Sequence, residues 1–228
     1  GDEITPGEGG SPNLIAGTFS VSSTKKVQFT KGNLYWDGSA YHFETNQTDY
    51  PGLWNASHVG HFYWTSLNDY QSGYTDLVPF AQRYASTDFS HILSYKFFCG
   101  EDSPLTVDGI SGCFALSQSE WHYLIYARTN ATKLCKYGVT VGGKVNCLII
   151  APDGFSGGLK SSYTLYEVNS LGLVCLPAAG TRDSWGISGA ENWGGYWSST
   201  PYGSNFACNL YFGSGLQNMC YYDRYDGY

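Results

Sequence analysis

Basic residues are scarce in this 228-residue chain, where 12 Lys and Arg face 19 Asp and Glu and leave a net charge of −7. No run of Lys or Arg occurs, which removes the electrostatic footprint of a nucleic-acid-binding protein. No apolar stretch approaches the length of a membrane-spanning helix. There is no C-x-x-C, and the seven cysteines (Cys99, Cys113, Cys135, Cys147, Cys175, Cys208 and Cys220) are spaced too irregularly for a zinc signature. A D-x-D-x-D-G calcium loop is missing. Gly194-Gly195 lacks the Lys-Ser/Thr that completes a phosphate-binding loop. Charged residues make up only 14% of the chain against 42% apolar ones, the reverse of the balance that keeps a chain disordered.

Aromatic residues are plentiful at 17%, and 29 glycines accompany them, a composition that suits short strands joined by tight turns. The length suits one large domain with a sizeable core. Gly1 to Asn13, made of Gly, Pro, Ser and acids with little to bury, reads as a flexible tether of the kind that follows an export anchor. Residues 14–228 read as the domain. Cys147 and Cys175 lie inside apolar runs and read as small buried hydrophobes. An odd cysteine count leaves at least one thiol free or paired between molecules, and no particular disulfide follows from the spacing.

Hydrophobic periodicity predicts strands over Ala16–Ser23 and Lys26–Phe29. A hairpin of Leu34–Trp36 with Tyr41–Phe43 turns around Asp37-Gly38. Residues 45–112 are poorly periodic and read as long loops with one helix near Pro79–Tyr84. The clearest helix is Ser117–Arg128: Ser117 and Glu120 form an S-x-x-E capping box, and Trp121, Leu124 and Ile125 share one face. Val139–Ile150 reads as a hairpin around Gly142-Gly143, followed by a short helix over Leu165–Ser170 and a buried strand over Leu173–Leu176. Strands at Gly195–Ser199, Phe206–Phe212 and Gln217–Tyr222 complete an α+β chain of mainly antiparallel strands with two helices. The expected core is Trp121, Leu124, Ile125, Leu148, Ile150, Leu176 and Trp197.

Two motifs invite chemistry. Gly154-Phe155-Ser156-Gly157-Gly158 matches G-x-S-x-G after a strand, but all five histidines precede Ser156, whereas a nucleophile elbow needs its histidine afterwards. A glycine-rich turn is the better reading. His58 and His61 stand three apart, as metal ligands can, yet no Cys or carboxylate cluster completes a shell. Trp54, Phe62, Tyr63 and Trp64 around them point to hydrogen-bonded histidines in an aromatic layer. No metal and no cofactor is expected.

The last 28 residues, Pro201–Tyr228, hold six of the 20 tyrosines, with four glycines, two serines and three asparagines but no Lys or Glu. Tyr supplies large contact area with few rotatable bonds, while Ser, Gly and Asn adapt their hydrogen bonding, the composition of antibody combining loops.

Three segments carry a resemblance. Leu116-Ser117-Gln118-Ser119-Glu120-Trp121 with Tyr123-Leu124 and Arg128 is similar to the helix motif L-(S/T)-x-x-E-W-x-Y-L-x-x-x-R. Leu176–Arg182 resembles L-P-A-A-G-x-R, and Gly195–Thr200 resembles G-x-Y-W-S-S-T. Together with Leu148–Asp153 they cover roughly residues 110–228. The set resembles exported Bacteroidetes proteins and the formylglycine-generating-enzyme branch of the C-type lectin-like fold. Within that group the C-terminus looks like a variable protein of a diversity-generating retroelement. There a reverse transcriptase rewrites adenines, turning asparagine codons into any codon ending in C or T. The resemblance then implies a ligand-binding face at about 201–228 formed by Tyr202, Gly203, Ser204, Asn205, Phe206, Cys208, Tyr211, Gly213, Ser214, Gly215, Cys220, Tyr221, Tyr222, Asp223, Tyr225 and Asp226. Gln217 and Met219, which such rewriting cannot reach, would be fixed scaffold. Cys208 and Cys220 would be accidents of diversification. Glu191-Asn192-Trp193 matches neither calcium-binding motif of sugar-binding lectins, which disfavours calcium-dependent sugar binding.

The resulting expectation is a C-type lectin-like domain acting as a non-catalytic, surface-displayed receptor for a protein or other cell-surface ligand. It would be exported, tethered at the outer membrane through a lipid anchor and monomeric, with no nucleic-acid partner. An enzyme of the same branch and a pilus or adhesin subunit are the alternatives. Along the final strands Leu210 and Phe212 should face the core and Tyr211 should face out.

Overall fold

A computed structural model describes residues 13–53, 55, 57–62, 64, 97–183, 186–223 and 227. Leu14 bridges Thr30, and the Lys31 N–H donates to the Asn13 carbonyl at 2.6 Å, so main-chain pairing begins at the end of the expected tether. β1 (Phe19–Ser20) pairs antiparallel with β2 (Lys26–Val27), both shorter than their apolar patterns suggest. β3 (Leu34–Trp36) and β4 (Tyr41–Phe43) form the expected hairpin. Its turn is made by the Asp37 carboxylate, which accepts from the N–H groups of Ser39 and Ala40, each at 2.7 Å.

A further hairpin, β5 (Leu105–Val107) and β6 (Ile110–Cys113), occupies a stretch whose aperiodic sequence points to loops. Its turn residues Asp108 and Gly109 sit at φ of 50° and 80°, the left-handed pair that an Asp-Gly hairpin requires. The strands are too short to show alternation, so the turn was the only sequence signal. The helix expected at 79–84 lies outside the described residues.

Ser117 caps α1 (Gln118–His122) with both halves of the capping box in place. The expected α-helix to Arg128 does not continue as such. Tyr123–Ala127 widens into a π-helical turn, closed by the Arg128 N–H donating to the Tyr123 carbonyl at 2.8 Å. The reason lies in Arg128 itself, whose Nε takes the Leu124 carbonyl at 2.8 Å, the acceptor its own N–H would use in an α-helix. The buried guanidinium also reaches Asp153 Oδ1 at 3.2 Å, and Asp153 holds Ser20 through its backbone N–H and hydroxyl.

Ala131–Lys133 forms one 3₁₀ turn before β7 (Cys135–Val141), which returns through Gly142-Gly143 as β8 (Lys144–Ile150). β9 (Ser162–Tyr163) runs parallel to β7. Then come α2 (Leu165–Ser170) and β10 (Val174–Leu176), which completes a sheet ordered β10-β8-β7-β9. Thr164 and Glu167 form a second capping box, readable in the sequence as T-x-x-E. Alternation splits β8 between two cores. Cys147 and Ile149 join Val139, Val168 and Leu173, while Leu148 and Ile150 join Trp121, Leu124 and Ile125.

β11 (Thr181–Asp183) and β12 (Gly186–Ser188) form a small hairpin. The chain then lays down β13 (Gly194–Tyr202), β14 (Phe206–Phe212) and β15 (Leu216–Asp223) as an antiparallel sheet with β14 in the middle. Gly194 faces Phe212, and a Cβ there would come within 2.2 Å of that ring, so only glycine fits. The architecture is α+β with mostly antiparallel strands. All seven residues expected in the core are buried, none more than 8% exposed.

Ser117→Ala and Thr164→Ala should each cost about 1 kcal/mol by loss of a cap. Leu148→Ala should cost about 2–5 kcal/mol through the cavity it leaves. Urea midpoints measure all three, and a Leu148 variant no worse than the cap variants would contradict the core assignment.

Candidate functional site

The three C-terminal strands sort the expected contact residues by position. Tyr202, Gly203, Ser204 and Asn205 form the β13–β14 turn, and pairing of Phe206 with Asp223 and of Ala207 with Tyr222 brings Tyr221, Tyr222 and Asp223 to the same end. Tyr202 is 41% exposed, Gly203 and Ser204 are exposed, and Phe206 and Tyr222 are half-buried. Tyr211 and the Gly213-Ser214-Gly215 turn lie at the opposite end of β14, roughly 20 Å away at 3.4 Å per residue. The candidates therefore fall into two groups, one at each end of β14. Seven residues of strand separate the two turns, and a strand carries its ends apart. Tyr225 and Asp226 lie outside the described residues.

Cys208 also departs from expectation. It is buried and forms a disulfide with Cys220 across β14 and β15, where a register shift between Ala207 and Asn209 brings the strands together. The disulfide cross-links β14 to β15 beside the end that carries Tyr202–Phe206 and Tyr221–Asp223. Leu210 and Phe212 are fully buried and Tyr211 is half-buried, as alternation predicts.

Asn209, which the sequence did not single out, sits opposite Trp197 with no exposed surface, and neither atom of its amide has a hydrogen-bond partner among the described residues. Such an orphaned group carries its full desolvation cost.

Beneath this sheet lies the aromatic layer foreseen around His61. Trp64 Nε1 donates to the Ser198 carbonyl at 2.8 Å, and Trp197 Nε1 donates to the Phe62 carbonyl at 2.6 Å. His61 is buried and its Nε2 donates to the Ala179 carbonyl at 3.0 Å, which fixes the neutral tautomer. Burial pushes its pKa down to about 4; the hydrogen bond to Ala179 opposes this and the nearby Arg182 charge adds to it. His58 turns elsewhere, pairing with Glu44 and stacking on Tyr35 at 4.1 Å. Among the described residues no group of three His, Cys, Asp or Glu is placed to hold a metal.

His42 is clamped between Asp37 (2.8 Å) and Asp108 (2.7 Å), joining the β3–β4 and β5–β6 hairpins. Hydrogen bonds to Asp108 and Asp37 raise its pKa, and with both ring nitrogens donating it holds a charge rather than accepting a proton. Ser39 Oγ meets Asp37 at 2.9 Å instead of the imidazole, so the Ser-Asp-His set lacks the order of a nucleophilic relay. Ser156 is exposed, and His42, His58 and His61 are all engaged elsewhere.

A cavity of about 560 Å³ is walled by Phe29, Phe114, Trp121, Leu176, Tyr196 and Trp197. Of its polar lining, the Gln47 amide is engaged, bonding the Leu173 carbonyl at 3.1 Å and the Cys175 N–H at 2.7 Å. No family model, curated protein or solved structure matches the chain. Among the described residues no helix is long and apolar enough to cross a membrane.

Acid should act through His61. The folded pKa lies below the ordinary 6.5, so the unfolded chain binds the extra proton first. Stability is therefore full above pH 6.5 and falls, by roughly 3 kcal/mol in all, as pH drops toward 4. His42 has the opposite sign, contributing below pH 6.5 and fading as pH rises through its elevated value. Denaturant titrations at several pH values should show His61→Gln flattening the acid limb, and an unchanged limb would refute the assignment. Asn209→Leu, which removes the orphaned amide, should raise the urea midpoint; a lower midpoint would show the amide to be partnered.

Proposed function

We propose that this chain is a non-catalytic ligand-binding receptor built on a C-type lectin-like domain, whose contact surface is the end of the C-terminal sheet bearing the Tyr202–Phe206 turn. The observation that carries the reading is the convergence there of eight rewritable positions: Tyr202, Gly203, Ser204, Asn205, Phe206, Tyr221, Tyr222 and Asp223. Tyr211 and the 213–215 turn fall outside this surface. The Cys208–Cys220 disulfide supports the reading by cross-linking β14 to β15 just behind the surface, which lowers the ordering cost of binding.

Asn209 gives independent support. A buried asparagine amide without a partner has no packing rationale, but asparagine is the residue that unrewritten adenine codons encode. On this reading Asn209 is a template residue carried into the protein unchanged. Display at the cell surface through an N-terminal lipid anchor, as the resemblance implies, suits a receptor of this kind.

Sequencing the locus in related isolates tests the proposal. Substitutions should concentrate in codons 202–206, 209 and 221–223, beside a near-copy of the 3′ end carrying adenines at those codons and a reverse-transcriptase gene. Substitutions spread evenly along the chain, with no such copy, would overturn it. In surface plasmon resonance against purified cell-surface proteins, a true ligand should lose most of its affinity to Tyr202→Ser and little to Tyr211→Ser.

A further inference from the structure

The glycine-rich segment after β8 forms one wall of a second cleft, far in sequence from the C-terminal sheet. The other wall is the 3₁₀ turn and the start of β7, and the cleft measures about 560 Å³. Two lysines line it, Lys133 exposed and Lys136 half-buried, and neither forms an ion pair with a described residue. No Asp or Glu lines it at all, in a chain where acids outnumber bases 19 to 12. Asp153, the nearest carboxylate in sequence, is turned onto Ser20, Arg128 and Lys26. Lys160, just beyond, is held by Glu167 and lies over the Tyr163 ring.

The backbone supplies a second, independent observation. Phe155 N–H closes the turn onto the Pro152 carbonyl, and Lys160 N–H is taken by Tyr163 Oη. Between them the N–H groups of Ser156, Gly157, Gly158 and Leu159 donate to no acceptor among the described residues. Four consecutive N–H groups without an acceptor and two lysines without an ion pair among the described residues, lining the same cleft, make an environment that favours negative oxygen. The cleft has room for more than an ion, since typical ligand pockets span roughly 300–1,000 Å³.

We propose that this cleft binds an acidic saccharide unit, its sulfate or carboxylate oxygens held by Lys133, Lys136, the Ser156 hydroxyl and the N–H groups of 156–159. The site is calcium-independent and stands apart from the contact surface proposed on the C-terminal sheet. The shared chemistry is an oxyanion, so the test separates a free ion from a saccharide-borne one. The full chain, ¹⁵N-labelled, is titrated at low salt with a sulfated hexasaccharide and, in a second arm, with inorganic sulfate. The saccharide should shift the amide resonances of Ser156, Gly157, Gly158 and Leu159 saturably, and affinity should fall with added salt.

Lys133→Gln/Lys136→Gln should weaken that binding by roughly tenfold or more, whereas Lys31→Gln, away from the cleft, should leave it unchanged. Both variants alter partly or fully exposed side chains, and their unperturbed spectra verify folding. Amide shifts mapping elsewhere, or binding that survives the double variant, would overturn the proposal. Inorganic sulfate binding as tightly as the hexasaccharide would overturn the saccharide assignment.

Discussion

The constraint on which the molecule turns is that its C-terminal sheet is covered on both faces. On one side Tyr196, Leu210 and Phe212 complete the core around α1, with Tyr196 stacked on Phe212 at 6.0 Å. On the other, Trp197 and Ala207 pack into the aromatic layer of Phe62, Trp64, Phe97 and Phe98. Two indole N–H groups, from Trp64 and Trp197, lock that layer to the sheet by donating in opposite directions across the junction. Each satisfies a buried carbonyl that would otherwise be costly, so loss of either ring leaves both a void and an orphaned acceptor.

A sheet enclosed in this way has few places where side chains can change freely. Interior positions of β14 answer to one core or the other, and Cys208 is fixed by its disulfide. Freedom is left at the turns and at the strand ends. The Tyr202–Phe206 end combines exposed small residues with tyrosines on a cross-linked frame, and this combination suits recognition by a preorganised surface. Asn209 marks the limit of that freedom, being a polar side chain in an interior position with no hydrogen-bond partner among the described residues.

The sequence motifs that suggest kinship turn out to be structural. Ser117 and Glu120 cap α1, and Glu120 also pairs with Lys25 at 2.8 Å. Trp121 and Leu124 fill the core, while Arg128 draws the helix end, β1 and the start of β7 together through Leu124, Asp153 and Cys135. Residues that build a scaffold do not by themselves carry a function.

Local signals settled much of the fold from sequence alone. The S-x-x-E and T-x-x-E capping boxes start α1 and α2 because they satisfy free N–H groups within one turn, and the Asp-Gly and Gly-Gly turn signals place the β3–β4 and β7–β8 hairpins. Composition likewise singled out the Tyr-, Ser- and Gly-rich tail, and strand alternation picked Leu210 and Phe212 out of it as core-forming. The π-helical turn at Tyr123–Ala127 was beyond sequence, since it depends on where the Arg128 side chain finds an acceptor. So were the pairing of Cys208 with Cys220 and the division of the tail between two ends of a sheet, which strand register sets. The cleft between Lys133 and Gly157 joins residues more than twenty positions apart. Short-range chemistry is written in neighbouring residues, whereas proximity between distant ones exists only once the strands have paired.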